Sequence, residues 1–194
     1  VVSYRNKNGH TWTYGYDLAG RRTSETSPEV WFATIDSWGN QSYGTRRLVT
    51  RTEYDALGNV SKRLEDADGP RARITRYEYD NRGHQIRTIF PEAGKIDPAT
   101  GQLVASGTQP TLEVIYDALG RAVVQKDVRG YYSHKVYDGL GQLAYEVDQE
   151  GYVTSYGYDG FGQQTRLRRH SQRLNAAALG GWSDALSESR GGCA

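Results

Sequence analysis

The sequence has few of the residues that build disulfide scaffolds and membrane spans. It contains no methionine, 1 cysteine, 3 phenylalanines and 5 prolines in 194 residues. Because Cys193 has no second cysteine to pair with, the fold must depend on packing and hydrogen bonds. No apolar run approaches the ~20 residues that a membrane-spanning helix needs. The first ten residues also lack the shape of a signal peptide, and we expect the chain to be a piece of something longer.

Neither sign of charge dominates the sequence. The chain has 24 basic and 23 acidic residues, which argues against nucleic acid or an anionic membrane as the main partner. One basic cluster, "RLRRHSQR" at residues 166–173, could bind phosphate. A solvated strand face is the favoured interpretation of that cluster.

Tyrosine and glycine are abundant, with 15 and 23 copies, and they recur together as Tyr-Asp-x-x-Gly. A shuffled chain of this composition would contain about 0.1 such matches. Here there are six, which begin at Tyr16, Tyr54, Tyr79, Tyr116, Tyr137 and Tyr158. The last three are spaced by 21 residues, so we interpret the chain as an array of units with insertions between some of them.

A second turn motif, Asp or Asn followed closely by Gly, precedes the tyrosine of each unit. It reads "NKNG" (6–9), "DVRG" (127–130) and "DQEG" (148–151), and "DSWG" (36–39), "DADG" (66–69) and "DPATG" (97–101) are further versions. The segments between turns alternate with period two, as in "HTWTYGYD" and "YVTSYGYD". This pattern predicts about a dozen short strands in hairpins.

The predicted fold is therefore all-β, with repeated antiparallel hairpins that form a curved or spiralling sheet. We assign residues 1–170 to the repeat array, with an irregular insertion at about 90–115 that carries a small hairpin. Residues 171–194, rich in Ala, Gly and Ser, form a non-repeat tail in which "SDALSES" could supply one helical turn.

Backbone chemistry explains each position of the repeated motif. Asp at the first position of a type I turn can accept the N–H groups of the loop, and Gly at the fourth can take a positive φ. A bulge at that glycine would close the hairpin. The tyrosine can cover apolar area while its hydroxyl is hydrated or hydrogen-bonded. We therefore predict a structural role for Tyr116, Asp117 and Gly120, and for their equivalents.

Other chemistries have weaker support in the sequence. The carboxylate pairs Asp66/Asp68 and Asp148/Glu150 lie in predicted turns, and the four histidines (His10, His84, His134, His170) have no metal-like spacing. A Gly-x-Ser-x-Gly elbow and a Gly-rich phosphate loop are both missing. Calcium binding is disfavoured because each turn offers one carboxylate. We predict no catalytic, cofactor-binding or metal-binding residues, and no cofactor.

The six copies, with "YDALGNV" (54–60) and "YDALGRAV" (116–123) as the clearest, resemble the YD repeats of the RHS family. That family includes bacterial Rhs polymorphic toxins, the B and C components of insecticidal Tc toxins, and teneurins. The resemblance covers about residues 4–169. It implies a sheet of hairpins that spirals into a hollow shell, which in the toxin members encloses a C-terminal toxin domain.

One departure from the family pattern limits what the resemblance implies. The motif of the kind "DPxGLxGG", at which toxin members cut themselves, has no match, so no autoprotease residue is carried over. We expect an internal portion of a shell or a short member, in which a dozen strands make an arc.

The expected function is that of a non-catalytic shell segment of a secreted bacterial toxin, or of a protein at the bacterial cell surface. Its expected partners are the rest of the parent shell and its toxin cargo. Exposed edge strands also suggest self-association, unless the insertion and the tail cover them. The alternative is a repeat module that binds cell-surface carbohydrate or protein through its strand aromatics. An enzyme, a hydrolase with carboxylates in the curve of the sheet, is the third and weakest hypothesis.

Overall fold

The computed structural model describes residues 2–35, 38–69 and 72–174, and these residues form strands joined by turns. The strands are β1 Val2–Arg5, β2 Thr11–Tyr16, β3 Arg22–Ile35, β4 Gln41–Tyr54, β5 Val60–Glu65, β6 Arg73–Tyr79, β7 Gln85–Ile89, β8 Gly94–Ile96, β9 Leu103–Ala105, β10 Thr111–Tyr116, β11 Ala122–Lys126, β12 Tyr132–Tyr137, β13 Leu143–Val147, β14 Tyr152–Tyr158 and β15 Gln164–Arg173.

The main sheet contains 13 strands, hydrogen-bonded in the order β1 to β7 and then β10 to β15. Strands β8 and β9 form a separate two-stranded sheet. Sequential neighbours pair antiparallel because short turns reverse the chain after nearly every strand. The all-β prediction and its antiparallel hairpins are confirmed, although β3 and β4, at 14 residues each, are much longer than expected.

The chain divides into two compact units, which comprise residues 1–78 with 88–110 and residues 79–87 with 111–194. In the first unit, β3 pairs with β4 along most of its length, and β2 and β5 flank only one half of that pair. The insertion also lies in this unit and carries the hairpin β8–β9, as predicted. A repeat strand, β10, resumes at Thr111.

In the second unit, regular hairpins run from β10 to β15. Val124 of β11 lies opposite His134 of β12, which in turn lies opposite Val147 of β13. Directly opposed residues share a face of the sheet, so these three side chains form a buried row. Val124 and Val147 are the only buried apolar residues in the described part of the chain. The sheet is therefore held together mainly by the hydrogen bonds between its strands.

The last strand, β15, runs to Arg173, and the N–H of Leu174 donates to the carbonyl of Gly151 (2.9 Å). The predicted helical turn at "SDALSES" lies outside the described residues.

Candidate functional site

Each aspartate of the Tyr-Asp-x-x-Gly motif binds the backbone of its own turn. In one copy, Oδ1 of Asp117 accepts the N–H groups of Leu119 and Arg121, both at 2.9 Å. The Gly120 N–H donates to the carbonyl of Asp117 at 3.0 Å. The predicted capping role is confirmed, because the same two bonds to Oδ1 recur at Asp17, Asp55, Asp80, Asp138 and Asp159.

Each glycine of the motif takes a left-handed backbone conformation. Gly120 has φ = 79° and Gly141 has φ = 84°, where a residue with a Cβ would be strained. The strand register shifts at the tyrosine of both copies, between Ile115 and Tyr116 and between Val136 and Tyr137. The predicted glycine-closed bulge is confirmed by the turn hydrogen bonds, because Asp117 accepts the N–H of Gly120 and also donates its own N–H to the carbonyl of Arg121 at 2.9 Å.

The tyrosine of the motif connects one hairpin to the hairpin before it. The hydroxyl of Tyr158 donates to the carbonyl of Leu143 at 2.9 Å, and that of Tyr137 donates to the carbonyl of Ala122 at 3.3 Å. Each acceptor stands six positions after the preceding motif tyrosine. The same bond joins Tyr54 to the carbonyl of Arg22 and Tyr116 to the carbonyl of Gln85.

A further position, the residue after the glycine, belongs to the same contact and was missed by sequence reasoning. Nε of Arg121 donates to Oδ2 of Asp117 at 2.7 Å, and its guanidinium lies 4.4 Å from the ring centroid of Tyr137 in the next hairpin. Alignment of the six copies would have found this position, since it always holds a planar polar side chain: Arg21, Asn59, His84, Arg121, Gln142 or Gln163.

His84 occupies this position in the third copy. Its Nδ1 lies 2.9 Å from Oδ2 of Asp80, and its ring stacks on Tyr116 with centroids 4.8 Å apart. A Cβ at Gly120 would lie 2.8 Å from Nε2 of His84. The glycine thus leaves room for the planar side chain from the preceding turn, in addition to its role in the bulge.

Hydrogen bonds lower the pKa values of six of the turn carboxylates. The backbone N–H of Arg121 is the largest cause at Asp117, and the Arg121 guanidinium adds to it. At Asp55 partial desolvation raises the pKa, but the Asn59 amide and the loop N–H groups outweigh it. The pKa is also below its ordinary value at Asp17, Asp80, Asp97 and Asp127. These carboxylates are stabilised as anions by their own turns.

The second series of turns uses the same chemistry in most copies. Oδ1 of Asn6, Asp97, Asp127 and Asp148 accepts the N–H two residues further along the chain. The predicted turn at "DADG" is present, since the Gly69 N–H donates to the Asp66 carbonyl at 2.9 Å. Its geometry differs from the other copies, because Asp66 itself has φ = 52° while Gly69 lies outside the left-handed region. Oδ2 of Asp66 accepts a hydrogen bond at 2.6 Å from Arg46, which lies on β4, 20 residues earlier in the chain. Residues 36–37 of "DSWG" lie outside the described residues.

The carboxylates that could serve a hydrolase face arginines. Asp68 pairs with Arg51 at 2.6 Å, and Asp148 pairs with Arg169 at 2.6 Å. Glu150 lies 3.6 Å from Arg173. These pairs place two arginines of the cluster at 166–173 beside acidic turns, although the strand is largely exposed as expected.

The histidines do not converge on one site. His84 lies in a turn, His134 is buried in the sheet, and Nε2 of His170 lies 3.2 Å from Oγ of Ser155. A nucleophilic serine would need this histidine oriented by a third group. Within residues 2–35, 38–69 and 72–174 no carboxylate contacts His170. Ser155 also donates to the backbone carbonyl of Arg168 at 3.4 Å, which fits a structural hydroxyl.

A cavity of about 680 Å³ lies between β6 and the insertion in the first unit. Its lining includes Arg73, Arg76 and Ile74 on β6, and Glu92 and Val104 on the insertion. The Glu92 carboxylate accepts the N–H of Gly107 and so supports the insertion.

The described ranges contain no candidate for a metal site or for a membrane-spanning helix. No cluster of three or more His, Cys, Asp or Glu residues there could hold a metal ion. The described ranges also contain no helix with the length and apolar character needed to cross a membrane.

The aromatic side chains divide into two groups. Four motif tyrosines contact the neighbouring hairpin, as described above: Tyr54, Tyr116, Tyr137 and Tyr158. Trp31 and Tyr43, in the β3–β4 hairpin, are instead 80% and 69% exposed.

Comparison with known proteins agrees with the repeat geometry. The family model for the RHS repeat matches residues 1–29 and 137–170. The two matched segments lie at the beginning and at the end of the repeat array. The comparison with curated proteins gives no match.

Parts of solved Tc toxin structures have a fold similar to that of this chain. They include a TcdB2-TccC3-Cdc42 crystal structure (14% identity, TM-score 0.55) and TcdB2-TccC3 without its hypervariable C-terminal region (16%, 0.56). A third is the Photorhabdus luminescens Tc holotoxin pore with a TccC3 mutation (17%, 0.57). Each match covers 85% of this chain and 8% of the other chain, so this chain spans a small part of their length.

Proposed function

We propose that this chain is a non-catalytic wall segment of a larger exported bacterial Rhs- or Tc-type toxin, whose hairpins enclose a C-terminal toxin domain. The observation that carries this proposal is the use of the motif's polar groups. Asp117 caps its turn, Arg121 joins that carboxylate to Tyr137, and Tyr137 binds the preceding hairpin. A wall needs such repeated contacts between hairpins. The carboxylate, guanidinium and hydroxyl groups of the motif are all used in these contacts.

The fold shared with Tc toxin chains supports the same assignment. On this proposal the partners are the remaining shell and its cargo, and the protein is exported by the cell that makes it.

The test is to sequence the parent gene beyond both ends and to express the whole parent. We expect a toxin-like domain on the C-terminal side that resists a protease while the shell is intact. Substitution of Tyr158, whose hydroxyl joins two hairpins, should increase cleavage of that domain. A parent that has no cargo domain and carries a cell-wall anchor would contradict the proposal.

The second candidate is a cell-surface binding module for carbohydrate or protein. It is favoured by the exposure of Trp31 and Tyr43, because aromatic side chains supply contact area for both kinds of ligand. It predicts that the isolated chain binds a glycan or cell-surface protein and that Trp31→Ser abolishes the binding.

A further inference from the structure

The distal half of the β3–β4 hairpin is a two-stranded arm, which we define as residues 29–35 and 41–47. The β2 register on β3 extends to Thr26, and the β5 register on β4 begins at Arg51. Residues 29–35 and 41–47 therefore pair with each other alone among the described strands. The register shifts between Thr26 and Glu29, next to Pro28, which separates the arm from the rest of the sheet.

The two outer edges of the arm differ. The β4 edge lies on the side of the β5–β6 turn, where Arg46 binds Asp66 and the Ala67 N–H donates to the Val49 carbonyl at 2.7 Å. The β3 edge has no neighbouring strand in the described structure. Its sequence, "EVWFATI", combines high strand propensity with one charge and no proline or glycine. An exposed edge of this composition favours pairing with another strand.

The two faces of the arm differ as well. On one face, Phe32 packs against Gly44 and lies 5.1 Å from the Arg46 guanidinium, and the Thr34 and Ser42 hydroxyls contact each other. The other face carries Trp31 and, beside it on β3, Ala33, with Tyr43 directly opposite Ala33. The first face is covered by local contacts, and the second leaves large aromatic surface in water.

The β3 edge is complementary to itself. If two copies pair antiparallel about Phe32, then Trp31 of each copy lies opposite Ala33 of the other, and Val30 lies opposite Thr34. A large side chain then covers a small one twice on the same face, which is the arrangement that favours cross-strand packing. The Glu29 carboxylates lie at opposite ends of the pair, so the two negative charges are kept apart.

We infer that a second copy of this chain docks on the arm by antiparallel pairing of residues 29–35. A glycan would cover the aromatic rings but would leave the row of strand N–H and C=O groups unpaired, whereas a strand satisfies both. This inference is independent of the shell assignment. A contact of one short strand is small, and we expect a transient dimer that forms at high protein concentration.

Sedimentation of the chain up to about 1 mM tests the dimer. Ala33→Lys places a charge at the centre of the β3 edge, and we expect at least a tenfold weaker dimer. Thr45→Lys adds the same charge on the same face of β4 and should leave the dimer unchanged. Trp31→Ser should weaken it, while Trp38→Ser, an exposed tryptophan outside the paired segment, should not. Circular dichroism confirms that each variant is folded.

Cysteine pairing tests the register. In a Cys193→Ser background, a Val30→Cys chain and a Thr34→Cys chain should form a disulfide when mixed, since opposed Cβ atoms lie about 5 Å apart. Either chain alone should not, because identical positions lie four residues apart along the strands. A chain that stays monomeric at 1 mM overturns the inference. The inference is also overturned if the dimer persists with Ala33→Lys or if the mixed disulfide does not form. A monomer that binds glycan through Trp31 would overturn it as well.

Discussion

At the scale of single residues, the glycine of a YD turn can serve two needs at once, as Gly120 does beside His84. Its positive φ closes the bulge, and its missing side chain leaves room for the planar group from the preceding turn. The turn 138–141 contains two glycines, and only one of them has the positive φ. Comparing them tests whether the backbone conformation matters or only the small size of the residue. Gly141 has φ = 84°, and a Cβ at this position would lie 3.4 Å from Nη1 of Arg121. Gly139 has no positive φ, and a Cβ there would meet open space.

Gly141→Ala should destabilise the chain by about 1–2 kcal/mol, which is the cost of a left-handed residue with a Cβ. Gly139→Ala is the matched control and should be neutral or slightly stabilising. Urea unfolding measures both free energies. Equal effects of the two substitutions would show that the backbone conformation of Gly141 is unimportant.

The aspartate of the turn acts through Oδ1, which an asparagine also possesses. Asn6 demonstrates this, because its Oδ1 accepts the N–H groups of Asn8 and His10. Asp117→Asn should therefore destabilise the chain less than Asp117→Ala, since it loses only the charge contact with Arg121. Thermal unfolding at pH 7 should rank wild type above Asp117→Asn and Asp117→Ala last. The reverse order of the two variants would rule out backbone capping as the main role.

At the scale of elements, adjacent hairpins are joined by a chain of side chains. Arg121 belongs to the turn between β10 and β11, yet its guanidinium lies over Tyr137 at the end of β12. In the next hairpin Gln142 takes the position of Arg121, which shows that a neutral planar group fits there. The energetic link between hairpins is thus measurable by substitution of both partners.

A double-mutant cycle with Arg121→Gln and Tyr137→Leu should give a coupling free energy of about 0.5–1 kcal/mol. The control cycle combines Arg121→Gln with Tyr145→Phe, since Tyr145 is not a motif tyrosine. Urea unfolding of the variants supplies the values. A coupling near zero in the first cycle would mean that the guanidinium and the ring only lie near each other.

At the scale of the whole molecule, few side chains of the described residues are buried, so a buried histidine has a large influence on the pH dependence of stability. His134 lies between Val124 and Val147, and burial lowers its pKa. The unfolded chain therefore takes up a proton at higher pH than the folded chain does. The free energy of unfolding should fall as the pH drops below about 6.5, the ordinary histidine value.

His134→Leu should remove this loss between pH 7.5 and 5, while His10→Gln, at an exposed turn, should keep the wild-type profile. The turn aspartates act in a separate range. Their lowered pKa values stabilise the fold above about pH 4, and that contribution disappears as the pH falls further. Urea midpoints across the pH series measure both ranges. A His134→Leu profile identical to wild type would contradict the first assignment.

The sequence by itself determined the turns and the all-β fold. The bonds from Asp117 to Leu119 and Arg121 and the left-handed Gly120 involve at most five consecutive residues, so local chemistry suffices to predict them. Only the tertiary structure decided which groups meet between hairpins. Tyr158 binds Leu143, Arg121 contacts Tyr137, and Arg46 binds Asp66, all across 15 to 20 residues of chain. These contacts depend on strand register and on unequal strand lengths, which a turn motif alone cannot specify.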